Sequence, residues 1–80
     1  PNPTFGNIKV QFNGARDKEY SFELFNIIGK PVWSTQLFLN NPDQILDVRI
    51  HDLEKGIYLY AVSNSQGKRI RTQRLIVIEP

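Results

Sequence analysis

Eighty residues with 40 % apolar side chains, nine of them aromatic, and a mean hydropathy of −0.37 describe one small soluble domain. A chain of this size buries roughly 60–65 % of its unfolded surface, enough for one thin core and too little for a deep pocket. The absence of cysteine excludes a disulfide framework and a thiolate metal site, the lack of an 18-residue apolar run excludes a spanning helix, and a net charge of +2 makes no case for nucleic acid.

The chain opens "PNPTFG" with neither methionine nor a basic-then-apolar leader, and reads as a piece of a longer protein. "NIKVQF" (7–12) then sets Ile8, Val10 and Phe12 against Lys9 and Gln11, the period-two pattern of a half-buried strand. Asn13-Gly14 ends it. "EYSFEL" (19–24) repeats the pattern with Tyr20, Phe22 and Leu24, and "NIIGK" (26–30) fits a type I turn closed by Gly29 at positive φ, as in a hairpin. In "PVWSTQLFL" (31–39) the apolar parity changes after Val32, which predicts a bulge or a strand that switches sheets. Asn40-Asn41-Pro42 breaks the chain again.

"ILDVRIHD" (45–52) places Leu46, Val48 and Ile50 on the buried parity and Asp47, Arg49 and His51 on the wet one. After Gly56 turns the chain, Tyr58 stands near the start of the penultimate strand. There its hydroxyl is expected to hydrogen-bond back across a tyrosine corner, with Tyr60 and Val62 following it inward. Asn64-Ser65-Gln66-Gly67 marks the next turn, and "KRIRTQR" (68–74) follows with four of the ten basic residues. Its cations suit either an anionic partner or the charge protection of an edge strand. "RLIVI" (74–78) is apolar after Arg74, as in a strand covered on both faces.

No window holds a helical stripe. Strands at this spacing predict an all-β, immunoglobulin-like antiparallel β-sandwich of about seven strands, the seventh arising if 31–39 divides. Its core is expected to contain Ile8, Val10, Phe12, Tyr20, Phe22, Leu24, Leu46, Val48, Ile50 and Tyr58.

Chemistry is sparse. His51 is the single histidine, no nucleophile or oxyanion arrangement accompanies it, and the carboxylates are scattered one by one. The reading is therefore no enzyme, no catalytic residue, no metal and no cofactor. Phe25, Trp33 and Phe38 can fill a core or line a sugar-binding platform. This leaves open a carbohydrate-binding module or a spacer of a secreted multidomain protein.

Four stretches occur in order: "PNPTFG" (1–6), "LFNIIGKPV" (24–32), "LEKGIYLYAV" (53–62) and "GKRIRTQRLIVI" (67–78). Together they resemble the C-terminal sorting domain of the type IX secretion system of Bacteroidetes. The matching positions are Pro1, Asn2, Pro3 and Gly6; Asn26, Gly29, Lys30 and Val32; Leu53, Gly56 and Tyr58; and the basic then aliphatic terminal strand. Phe25 stands where the family usually has Tyr, and Arg74 where it usually has Lys.

The resemblance implies a non-enzymatic signal over residues 1–80, at the C-terminal end of a longer secreted protein. That protein would reach the periplasm and then cross the outer membrane to the surface or the medium. Implied partners are the outer-membrane translocon with its shuttle proteins, and a sortase-like peptidase that often removes the domain at or before Pro1. Neither nucleic acid nor a direct membrane span is implied. Recognition by the translocon is expected on Lys68, Arg69, Arg71 and Arg74, continuing through Leu75, Ile76, Val77 and Ile78, with the cations solvated and of little weight in folding.

Overall fold

The computed structural model describes residues 3–4, 7–50 and 53–77. The alternating runs become β2 (Asn7–Phe12), β3 (Glu19–Asn26), β4 (Pro31–Phe38), β5 (Gln44–Arg49), β6 (Gly56–Ser63) and β7 (Arg69–Val77), preceded by the two-residue β1 (Pro3–Thr4). No helix occurs among the described residues. The strands form a five-stranded sheet of order β1-β7-β6-β3-β4 and a two-stranded sheet of β2 and β5. All pairings are antiparallel except that of β1 with β7, where Pro3 lies opposite Ile76 and Thr4 opposite Val77.

The fold is thus the expected all-β sandwich, built from six long strands rather than seven. Segment 31–38 does not divide. It stays continuous because a bulge absorbs the change of parity: Leu24 faces Trp33 and Phe25 faces Pro31, so Val32 has no residue opposite it.

The inner faces of the two sheets make the core. Val10, Phe22 and Leu24 are fully buried and Val62 nearly so, with Ile8, Phe12, Tyr20, Val48, Ile50 and Tyr58 close behind. Aromatic packing links the layers. The Phe12 and Tyr20 rings lie 4.8 Å apart, and Phe22 stacks on Tyr60 at 5.1 Å while meeting Trp33 edge-on at 5.9 Å.

Leu46, expected inside, is only half-buried against this cluster. Among the described residues its strand pairs with β2 alone, although Val48 on the same strand is buried. Leu37, Leu39, Leu75 and Val77 complete the core from the other sheet.

Two hairpins close on the same Asn-x-x-Gly-Lys pattern. The Gly29 N–H donates to the Asn26 carbonyl (2.9 Å), the Asn26 N–H to the Lys30 carbonyl (2.9 Å), and Asn26 Oδ1 accepts from Ile28 N–H and Lys30 N–H. Asn64 does the same with Gly67, Lys68 and Gln66. The asparagine side chain thus substitutes for backbone acceptors, and the φ of 88° at Gly29 is one that a side chain with Cβ avoids. The "NIIGK" turn matches expectation. Its twin, "NSQGK", was legible in sequence only as a strand end.

The tyrosine corner is also present. The Tyr58 hydroxyl donates to the Glu54 carbonyl at 2.7 Å. Gly56 enters β6 at φ 159°, next to the extended limit, where the position of a Cβ would lie 3.7 Å from the Tyr58 ring. Tyr58→Phe removes the hydrogen bond and leaves a part-buried carbonyl with one acceptor site unfilled. The urea midpoint should fall by the equivalent of about 1 kcal/mol, with an unchanged m-value.

Candidate recognition site

Pairing brings the separated sequence motifs to one end of the larger sheet. Asn26, which caps the β3–β4 turn, lies opposite Tyr58, and Tyr58 lies opposite Leu75. One residue on, Ile57 faces Ile76, which in turn faces Pro3. Segments from positions 3–4, 26–32, 53–58 and 75–77 therefore form one corner. Pro1, Asn2, Gly6, His51 and Ile78 lie outside the described residues.

β7 passes through this corner in two unlike halves. Its apolar end, Ile76 and Val77, is flanked by β6 on one side and β1 on the other. Residues 69–75 have β6 alone as a strand neighbour among the described residues, so the basic half is an edge. Alternation distributes its side chains. Arg71, Gln73 and Leu75 oppose Val62, Tyr60 and Tyr58 on the core-facing side, while Thr72, Arg74 and Ile76 oppose Ala61, Leu59 and Ile57 on the outer face. Arg69 pairs with Ser63, and Ile70 is the extra residue of a bulge.

Arg71, expected as a solvated charge, is half-exposed and also engaged by the other sheet. Its Nη2 donates to the Gln11 carbonyl of β2 at 2.8 Å, and its guanidinium lies 6.0 Å from the Phe12 ring centroid. Arg71 ties the two sheets together. Arg69 crosses the outer face to the Phe25 ring at 5.1 Å, while Lys68 and Arg74 are exposed. The outer face beside them is partly apolar, with Ile57 and Leu59 half-uncovered and Ile27 and Ile28 projecting from the turn.

The buried Tyr60 supports the strand, its hydroxyl donating to Oε1 of the exposed Gln73 at 3.0 Å. Burial pushes the Tyr60 phenol above its ordinary 10.0, and the positive charge of Arg71 offsets part of that. A raised folded pKa means that this stabilisation is complete below pH 10 and is lost as pH rises through the folded value. Urea midpoints measured from about pH 8 to 12 should therefore fall more steeply for the parent than for Tyr60→Phe. Parallel curves would show that Tyr60 does not carry the alkaline loss.

The aromatic residues do not form a line. Trp33 packs inward against Phe22, whereas Phe25 and Phe38 lie at opposite ends of the β3–β4 ladder, facing Pro31 and Glu19. No cluster of three or more His, Asp or Glu residues with metal-binding geometry occurs among the described residues, and no helix there is long and apolar enough to cross a membrane.

The chain as a whole carries a family signature. The profile of the secretion system C-terminal sorting domain matches residues 1–79. The chain belongs to this family. Neither curated proteins nor solved structures gave a match. Members are C-terminal sorting signals of type IX secretion and not enzymes, and the role implies contact with the secretion machinery and export across the outer membrane.

Proposed function

We propose that residues 1–80 are the C-terminal sorting domain of a longer cargo protein, delivered from the periplasm to the cell surface or the medium. The observation that carries this reading is the family match over nearly the whole chain. A compact module with its own core suits a signal read after export to the periplasm, because its recognition does not depend on the cargo. The outer-membrane translocon and its shuttle proteins are the partners, together with a sortase-like peptidase of the kind that often removes such a domain, at or before Pro1.

Within the domain, recognition centres on β7. Lys68, Arg69 and Arg74 supply accessible positive charge, and the strand continues through Leu75, Ile76 and Val77 toward Ile78. Arg71 acts differently, by holding the strand against β2. The joint substitution Lys68→Gln, Arg69→Gln and Arg74→Gln tests the assignment while sparing that tether. Exposed charges and one cation–π contact are each worth about 1 kcal/mol or less, so the variant should keep a cooperative urea transition. Fused to a periplasm-targeted fluorescent protein, it should accumulate in the periplasm of a competent host. Export at the parent level would reduce these cations to edge protection.

A further inference from the structure

Edge strands in natural sheets are guarded against pairing by charge, proline, bulges or shortness. β2 carries Lys9, β5 carries Asp47 and Arg49, and β7 carries Arg69, Arg71 and Arg74, while β1 has only two residues. β4 differs. Its eight residues, PVWSTQLF, include no charge, and β3 is its only strand neighbour among the described residues. Pro31 and the bulge at Val32 interrupt just its first end.

The direction of its free backbone groups follows from alternation. The Leu39 N–H donates to the Lys18 carbonyl beside β3, so Thr35 and Leu37 turn their amides and carbonyls toward β3 as well. Ser34, Gln36 and Phe38 turn theirs outward. Two residues on the outer face of this edge are large and apolar: Val32 is 41 % exposed and Phe38 is 65 % exposed. They lie three residues to either side of Thr35.

We propose that two copies of this domain pair through β4, antiparallel, about a two-fold axis at Thr35. In that register Ser34 meets the second copy's Gln36, and the two exchange their outward backbone hydrogen bonds. Val32 meets the second copy's Phe38 on the outer face, and Trp33 meets the second copy's Leu37 on the inner face. Every opposed pair matches apolar with apolar or polar with polar, and the interface contains no like charges.

The neighbouring registers fail this criterion. A shift by two sets Val32 against Gln36 in one direction and Ser34 against Phe38 in the other. A shift by one turns the apolar residues to opposite faces. This self-complementarity selects a second copy over an unrelated strand, and the inference does not depend on the export reading. One strand pair lies at or below the small end of specific interfaces, about 1,200 Å², so the dimer is weak and forms at high concentration.

Sedimentation velocity on the 80-residue chain, from about 10 µM to about 1 mM, should show a monomer passing into a dimer, and Gln36→Lys should remain monomeric throughout. Because the chain has no cysteine, disulfide capture reads the register directly. Thr35→Cys places two thiols in a non-hydrogen-bonded opposed pair within bridging distance. Mild oxidation should give a disulfide-linked dimer at least tenfold faster than for Ser34→Cys, whose two copies lie diagonally apart. Circular dichroism confirms that each variant is folded. A parent that stays monomeric at the top concentration overturns the proposal. So does a dimer that tolerates Gln36→Lys, or equal capture of the two cysteine variants.

Discussion

Phe22→Ala is expected to remove a large part of the stability of the domain and to shift its urea midpoint far downward. Phe22 has no exposed surface and packs against the Tyr60 and Trp33 rings from β3, the strand between β6 and β4. Its partners across the ladders are Thr35 and Val62, so a void there opens beside both flanking strands. Truncating a buried phenylalanine costs about 3–5 kcal/mol, through lost transfer free energy and an unfilled cavity. An 80-residue domain has roughly 4–12 kcal/mol to lose, at about 0.05–0.15 kcal/mol per residue. The same change at Phe38, 65 % exposed, should move the midpoint of a dilute sample by about 0.5 kcal/mol or less. Urea titration followed by tryptophan fluorescence distinguishes the two, because Trp33 packs directly on Phe22. Equal midpoints would contradict the placement of the core.

The function depends on that core because the basic strand is held to it from both sides. Leu75 and Val77 are buried, Gln73 accepts from Tyr60, and Arg71 reaches across to β2. Destabilising Phe22 loosens the sheet in which these contacts are made. A core variant and a surface variant can therefore both lose export, and stability measurements separate the two causes.

The sequence carried much of this by local rules. Period-two alternation located the long strands and the core residues of β2, β3 and β5 apart from Leu46, because a strand that is wet on one face has no other stable pattern, whereas Leu37, Leu39, Leu75 and Val77 were not in the expected core. Gly29 and Tyr58 announced their turn and their corner because each residue type solves a specific backbone problem. The parity break at Val32 was read as a bulge or a change of sheet, and the bulge is what occurs.

What escaped the sequence depends on distant partners. The inward turn of Arg71 follows from the parity it shares with the buried Leu75, which a polar run does not announce, and the bulge at Ile70 lies beyond it. The pairing of Pro3–Thr4 beside β7 joins opposite ends of the chain, and no local signal encodes it. Leu46 looked like a core residue because alternation reports a face and says nothing about how far each side chain on that face is covered. The bare edge of β4 became visible only once strand order showed which strands lie outside. The recognition residues are partly legible: their basic and aliphatic character is in the sequence, but which cations remain accessible is a property of the fold.

Export itself is the most direct test. Residues 1–80 are fused to the C-terminus of a periplasm-targeted fluorescent protein in a type IX-competent Bacteroidetes host, and fluorescence is measured in periplasm, surface and medium. The account predicts that the passenger reaches the surface or the medium in the parent strain and stays periplasmic in a strain lacking the translocon. Deleting Arg74–Pro80 should hold it in the periplasm of the competent strain, since that removes Leu75 and Val77 from the core together with the strand end. An intact fusion that folds, remains protease-resistant and still never leaves the periplasm of the competent host would contradict the sorting function of this chain.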